Sequence, residues 1–163
     1  MAQARKADPD SLASLRAGDA DWVFTPYNRL HQPTPYPDPR RLLDADHHRC
    51  VEILAGITEP IGSTVPVLTE AFHLLTPGSV GAQRLMDFMA GKGLVPWFLD
   101  TRLLQRAMEL MMQYADHPMD LADASLVVMA EQLRCGRVFT IDRGDFNTYR
   151  FRQGHHQKTF EIL

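Results

Sequence analysis

From Leu42 onward, the hydrophobic positions of the chain follow two different periods. Short apolar runs typical of strands are separated by longer segments in which apolar residues recur every three or four positions, as in amphipathic helices. The predicted strands are 61–64, 94–99, 137–141 and 159–163, and the predicted helices are about 45–55, 65–75, 80–90, 101–111 and 120–134. Strands that alternate with helices in this way predict an α/β sandwich with a mostly parallel sheet flanked by helices.

Local signals support several of the helix ends. Pro66 suits the first turn of its helix, where no backbone N–H bond is lost. Thr101 is expected to cap the helix that it begins, and Gly91 is expected to end the preceding one. The methionines occur at core spacing, and we expect them to fill packing gaps; they are Met86, Met89, Met108, Met111, Met112, Met119 and Met129.

The first 41 residues follow neither period. Six of the eleven prolines lie there, and prolines alternate with other residues over 33–39, which predicts an extended polyproline-type stretch. The only strand-like piece is 22–25, which Pro26 ends. We expect residues 1–41 to be a Pro-rich segment that is disordered or unrelated to the rest, and the globular domain to comprise 42–163.

Composition narrows the class of protein. A chain of 163 residues with 45% hydrophobic and 23% charged residues suits one globular domain. It contains no apolar run of the roughly 18 residues that a membrane span needs, and its start does not resemble a signal peptide, so we expect a cytoplasmic protein without a membrane partner. Cys50 and Cys135 are expected to be buried free thiols. A net charge of -3 excludes a global electrostatic attraction to nucleic acid.

Acidic residues recur where the functional crevice of a parallel sheet forms, at the carboxyl ends of strands. These acids are Glu70, Asp120, Asp123, Asp142 and Asp145. Like charges packed together raise each other's pKa unless a cation neutralises them, and carboxylate oxygens suit Mg²⁺ or Mn²⁺ better than zinc. The set predicts metal-assisted hydrolysis of a phosphodiester, in which the metal activates a water molecule and stabilises charge on the phosphoryl group.

Each acid also has a purely structural interpretation. Asp120 and Asp123 fit an N-cap and a favourable charge at a helix start. Asp142 and Asp145 fit a simple turn, since the run Asp-Arg-Gly-Asp is rich in turn formers. Glu70 lies beside an apolar helix face, and such an acid commonly marks the margin of the core.

Four separated segments together resemble one family. From Leu42 onward, the chain resembles the PIN domain, and in particular the VapC-type toxin ribonucleases of bacterial toxin–antitoxin pairs. The segments are LLDADHHRCVEIL (42–54), VPVLTEAFHLL (65–75), YADHPMDLADASLVVMAE (114–131) and RVFTIDRGDFNTYR (137–150). Their order and spacing cover about three quarters of the chain.

The resemblance implies a PIN-like three-layer sandwich that cleaves single-stranded RNA with Mg²⁺ or Mn²⁺. Carried over, the catalytic metal ligands are Glu70, Asp123 and Asp142, and Asp120 and Asp145 are supporting acids near the metal. The resemblance also implies a small antitoxin protein as partner, and a homodimer. Contacts with RNA would come from a basic group that could equally be solvated surface, namely Arg143, Arg150, Arg152 and Lys158.

One expected ligand has no counterpart. PIN domains begin with an apolar strand that ends in Asp, and counting back from Asp44 places that aspartate at Pro35, in a segment that cannot form a buried strand. Asp38 lies between prolines, and Asp21 precedes rather than follows the strand-like piece. We therefore expect the first strand and its aspartate to be missing or replaced, which leaves the domain N-terminally incomplete and its activity impaired. The alternatives are a catalytically inactive PIN fold that binds protein or RNA, and a chain that needs a partner to complete its sheet.

Overall fold

The structure, a computed structural model, describes residues 22–24 and 45–163. Its strands are β1 (Trp22–Phe24), β2 (Ile61–Thr64), β3 (Leu94–Trp97), β4 (Arg137–Phe139), β5 (Phe151–Gln153), β6 (His156–Lys158) and β7 (Glu161–Ile162). Its helices are α1 (Ala45–Gly56), α2 (Val65–Leu74), α3 (Val80–Ala90), α4 (Thr101–Gln113), α5 (Leu121–Leu133) and α6 (Arg143–Thr148). The expected α/β class with short parallel strands is confirmed.

The main sheet has five parallel strands in the order β3-β2-β1-β4-β7. Since all five run the same way, their carboxyl ends lie along one edge, and the chain enters α2 directly from β2 and α6 shortly after β4. This edge is where the acids were expected, because crossover connections of a parallel sheet open a crevice there.

The structure contains a central strand, so the expectation that the first strand is missing is wrong, whereas the alternative that it is replaced stands. Residues 22–24 occupy the central position, with Trp22 opposite Ile61 and Val23 opposite both Gly62 and Val138. The strand-like piece was visible in the sequence, but it was set aside because Asp21 precedes it and because counting back from Asp44 placed the expected aspartate at Pro35. Three residues suffice, because β2 and β4 supply hydrogen-bonding partners on both sides. Apart from these three residues, the expectations for 1–41 lie outside the described part of the chain.

Helix α5 is the centre of the larger apolar cluster. Nine of its thirteen residues are buried, as expected for a helix that is apolar on all sides. Its cluster includes Val138 of β4 and the aromatic side chains of Phe146 and Tyr149, which follow β4. A smaller cluster joins Ile61, Leu68 and Leu94 from β2, α2 and β3. The buried α5 thereby fixes its own first turn against the carboxyl ends of the strands.

Several local expectations need correction. Asp100, not Thr101, caps α4, and its side chain accepts a hydrogen bond of 2.8 Å from the Leu103 N–H. Met108 and Met112 are 54% and 71% exposed, because α4 turns only one stripe towards α5. Neither described cysteine forms a disulfide, as expected, but both are half-buried rather than buried. The short helix α6 and the antiparallel hairpin of β5 and β6 were not predicted.

Candidate functional site

The first turn of α5 supplies two of the predicted acids. Asp120 is the N-cap, and its Oδ1 accepts a hydrogen bond of 2.9 Å from the Asp123 N–H. The structural interpretation of Asp120 as a cap is therefore confirmed. The cap uses an oxygen of Asp120 and the backbone N–H of Asp123. The Asp123 carboxylate takes no part in it and contacts other groups. The helix start thus places two carboxylates one turn apart at the carboxyl edge of the sheet.

The segment after β4 supplies the next two acids. Asp142 caps α6, since its Oδ1 accepts from the Asp145 N–H at 3.3 Å. Its own N–H donates to the Thr140 Oγ1 at 3.0 Å, which ties the residue to the end of β4. The run that fitted a simple turn is therefore a capped helical turn. Asp145 faces back across the site, where its Oδ1 lies 2.7 Å from Nε2 of His117.

Glu70 is brought to the same cluster by α2, and its side chain is half-buried. Burial first, and the negative charge of Asp120 second, raise the pKa of the Glu70 carboxyl above its ordinary value. Glu70 and Asp120 therefore influence each other electrostatically, as the prediction of a shared site requires, and the half-buried position of Glu70 also fits the margin of the core.

Asp123 is the electrostatic centre of this cluster. Burial, followed by the charges of Asp120, Asp145 and Asp142, raises the pKa of Asp123 to about 8. The Tyr149 hydroxyl, which donates to Asp123 Oδ2 at 3.3 Å, lowers that pKa and only partly offsets the other effects. Without an added cation, the protein holds Asp123 largely protonated near neutral pH. All five predicted acids therefore interact through Asp120 and Asp123.

Aromatic and hydroxyl groups support the acids, and sequence reasoning missed them. Tyr149 is fully buried, and its ring packs edge-on against those of Tyr114 and His117. Burial and the charge of Asp123 raise the pKa of the Tyr149 phenol, so it remains a hydrogen-bond donor. The sequence shows that Tyr149 follows Asp142 by seven residues, but nothing in it indicates that the Tyr149 hydroxyl contacts α5.

A second buried link joins the end of β2 to α5. Thr64 Oγ1 and Ser125 Oγ are hydrogen-bonded, and the Ser125 hydroxyl lies 2.7 Å from the Ala122 carbonyl oxygen, to which it donates. Because that bond uses the single Ser125 proton, Thr64 is the donor to Ser125. The pair connects the strand that precedes Glu70 with the helix that carries Asp123. No sequence signal distinguished these two hydroxyls from others.

The chemistry of the donor set fits a hard divalent cation. Carboxylates surround Asp123 and raise its pKa, because negative charges packed together repel one another. A divalent cation such as Mg²⁺ or Mn²⁺ relieves this repulsion, and both ions prefer oxygen ligands. Over residues 22–24 and 45–163, however, no three acidic, histidine or cysteine side chains approach closely enough to form a ready-made ligand group. Glu70, Asp123 and Asp142 remain the predicted ligands of such an ion, and among the described residues the structure does not bring them together as a ligand set.

The four basic candidates take different positions. The Arg150 Nη1 donates to the carbonyl oxygens of Asn147, Thr148 and Tyr149 at 2.7–2.8 Å, so it stabilises the end of α6. Arg152 and Lys158 are exposed on the hairpin. Arg143 is exposed beside the acidic cluster, where it borders a cavity. Of the four, Arg143 therefore lies closest in sequence and structure to the predicted metal ligands.

Comparison with known proteins adds no relative: no protein-family model matches the chain, and no curated protein matches it. In residues 22–24 and 45–163, no helix combines the length and apolar character needed to cross a membrane.

Proposed function

We propose that the chain is a Mg²⁺- or Mn²⁺-dependent endoribonuclease of PIN type with a three-layer sandwich fold, acting as the toxin of a cytoplasmic type II toxin–antitoxin pair. The observation that carries the proposal is the electrostatic coupling of the acids at one edge of a parallel sheet, with the pKa of Asp123 raised to about 8. A structural cap requires no such cluster, whereas cation-dependent phosphodiester hydrolysis does.

The chain's own residues would divide the work. Glu70, Asp123 and Asp142 provide carboxylate oxygens for the ion, and Asp120 and Asp145 add negative charge around them. Tyr149 orients Asp123 through its hydroxyl, and His117 orients Asp145. When bound, the ion would activate a water molecule and stabilise charge on the phosphoryl group. Under this proposal the substrate is single-stranded RNA, and a small antitoxin and a second copy of the chain are the partners.

The direct test is Mn²⁺-dependent cleavage of single-stranded RNA by the purified chain. Asp123→Asn should reduce the rate by at least roughly 100-fold, since it removes a ligand and the charge that holds the ion. Asp87→Asn is the matched control, because the Asp87 side chain is exposed on α3 and accepts a hydrogen bond from its neighbour Gln83. Equal rates for the parent chain and Asp123→Asn would refute the assignment of the site.

A second candidate, an inactive PIN fold that binds RNA or protein, is favoured by one observation. The residue after β1 is Thr25, and the first acid that follows is Asp38, so the central strand does not end in the aspartate that the resemblance requires. The variant Thr25→Asp supplies that acid. If the parent chain is inactive and Thr25→Asp cleaves RNA, the site is a nuclease centre that lacks one ligand. If neither cleaves, the binding function is the better proposal.

A further inference from the structure

We propose that a cavity beside the acidic cluster binds a backbone phosphate of single-stranded RNA, with Arg49 and Arg143 as its ligands. The cavity has a volume of about 40 Å³, which is room for a few water molecules or a compact anion. Arg49, Cys50 and Ile53 of α1 and Arg143 of α6 line it. This inference rests on the proposed function, because it assigns the residues that hold the same substrate.

The position of the cavity relative to the acids follows from the sheet. Its remaining walls are Thr140 and Ile141, which follow β4, and Leu163, which follows β7. Ile141 and Arg143 flank Asp142 in the chain. Since β7 lies next to β4, the cavity lies at the carboxyl ends of these two neighbouring strands, beside the segment that carries Asp142. A nucleic-acid strand that follows the carboxyl edge of the sheet would pass from the acids to this cavity.

The two arginines differ from others in how their charge is used. Arg106 is paired with Glu131 and Glu109, and Arg150 binds carbonyl oxygens. By contrast, neither Arg49 nor Arg143 forms an ion pair with any residue of the described ranges, and yet both border one cavity. A guanidinium presents several N–H donors in a plane, which suits phosphate oxygens. Two such groups beside a cluster of carboxylates would offset the repulsion that a polyanion meets there.

The test is the salt dependence of RNA binding by the full chain. A fluorescent single-stranded RNA is titrated in EDTA, where metal-dependent cleavage cannot occur. For single strands, each lost phosphate contact lowers the slope of log K against log salt by roughly 0.7. Arg49→Gln and Arg143→Gln should each produce this decrease and weaken binding roughly 3–10-fold. Arg84→Gln, on exposed α3, is the matched control and should change neither quantity.

The outcomes are distinguishable from those of the cleavage test. If the two variants lower the slope and the control does not, the phosphate site is supported, even when no RNA is cleaved and the nuclease proposal fails. Equal losses in all three variants would indicate only general charge and overturn the site, as would a parent chain that does not bind RNA. Binding of inorganic phosphate that both variants abolish, with RNA affinity unchanged, would show a site for a free anion and overturn the RNA assignment.

Discussion

Helix α5 carries a poorly exposed carboxylate near each end, and the two carboxylates have opposite electrostatic surroundings. Glu131, near the end of the helix, is 8% exposed and receives two hydrogen bonds from the Arg106 guanidinium, at 3.0 and 3.1 Å. Asp123, in the first turn, is surrounded by other acids. Arg106 neutralises the charge of Glu131, whereas the acids around Asp123 disfavour its ionised form, and it is to this second end that the proposed function assigns a cation.

The same contrast separates structural from functional interactions. Glu131 also accepts a hydrogen bond from the Arg152 N–H at 3.1 Å, so it joins α4, α5 and β5. These hydrogen bonds hold the three elements together, and they satisfy the Glu131 carboxylate without a ligand. At Asp123, folding raises the pKa of a carboxyl, which costs stability that would be recovered only on binding. A carboxyl whose pKa is raised by burial and by neighbouring acids is therefore a more specific indication of a site than the number of acids.

The largest effect is expected at the compensated end. Glu131→Gln should lower the free energy of unfolding by about 3 kcal/mol, because it leaves the poorly exposed Arg106 without its main partner. Glu109→Gln removes the other partner, which is 61% exposed, and should cost at most about 0.5 kcal/mol. Chemical denaturation of both variants measures the difference. If both variants lost the same free energy of unfolding, the buried Arg106–Glu131 pair would contribute no more to stability than the exposed pair.

The opposite sign is expected at the uncompensated end. In EDTA at neutral pH, Asp123→Asn should raise the free energy of unfolding by about 2 kcal/mol, since it removes a carboxyl that the neighbouring acids disfavour. Asp87→Asn should have little effect, because Asp87 is exposed. Destabilisation by Asp123→Asn would mean that its hydrogen bond with Tyr149 outweighs the repulsion, and would count against the cluster.

Sequence reasoning predicted the α/β class and selected the acids of the candidate site because both follow strong local rules. Apolar periods marked α5 and β2, and the strand-end rule selected Glu70 and Asp123. It failed at β1, where three residues depend on neighbours from distant parts of the chain for their pairing. It also missed Tyr149 and His117, since the contact of each with an acid bridges a separation of more than 25 residues. Such contacts are set by packing and leave no local pattern.

The pH dependence of stability should distinguish the two ends further. Between pH of about 4 and 8, folded Asp123 retains a proton that the unfolded chain releases, so its contribution to stability is complete below pH 4 and lost as pH rises towards 8. In EDTA, the free energy of unfolding of the parent chain should therefore fall with pH by up to about 1.4 kcal/mol per unit relative to Asp123→Asn. Parallel pH profiles for the two proteins would contradict the raised pKa.

The most direct test of the central claim is thermal unfolding of the parent chain and Asp123→Asn over a series of Mn²⁺ concentrations. A cation that binds only the folded state stabilises it by RT ln(1 + c/Kd), where c is the Mn²⁺ concentration, so the melting temperature rises with the concentration of the ion. We expect the melting temperature of the parent chain to rise steadily with Mn²⁺, and that of Asp123→Asn to remain nearly constant. A parent chain that does not respond to Mn²⁺, or a variant that responds equally, would show that the acidic cluster does not bind the ion.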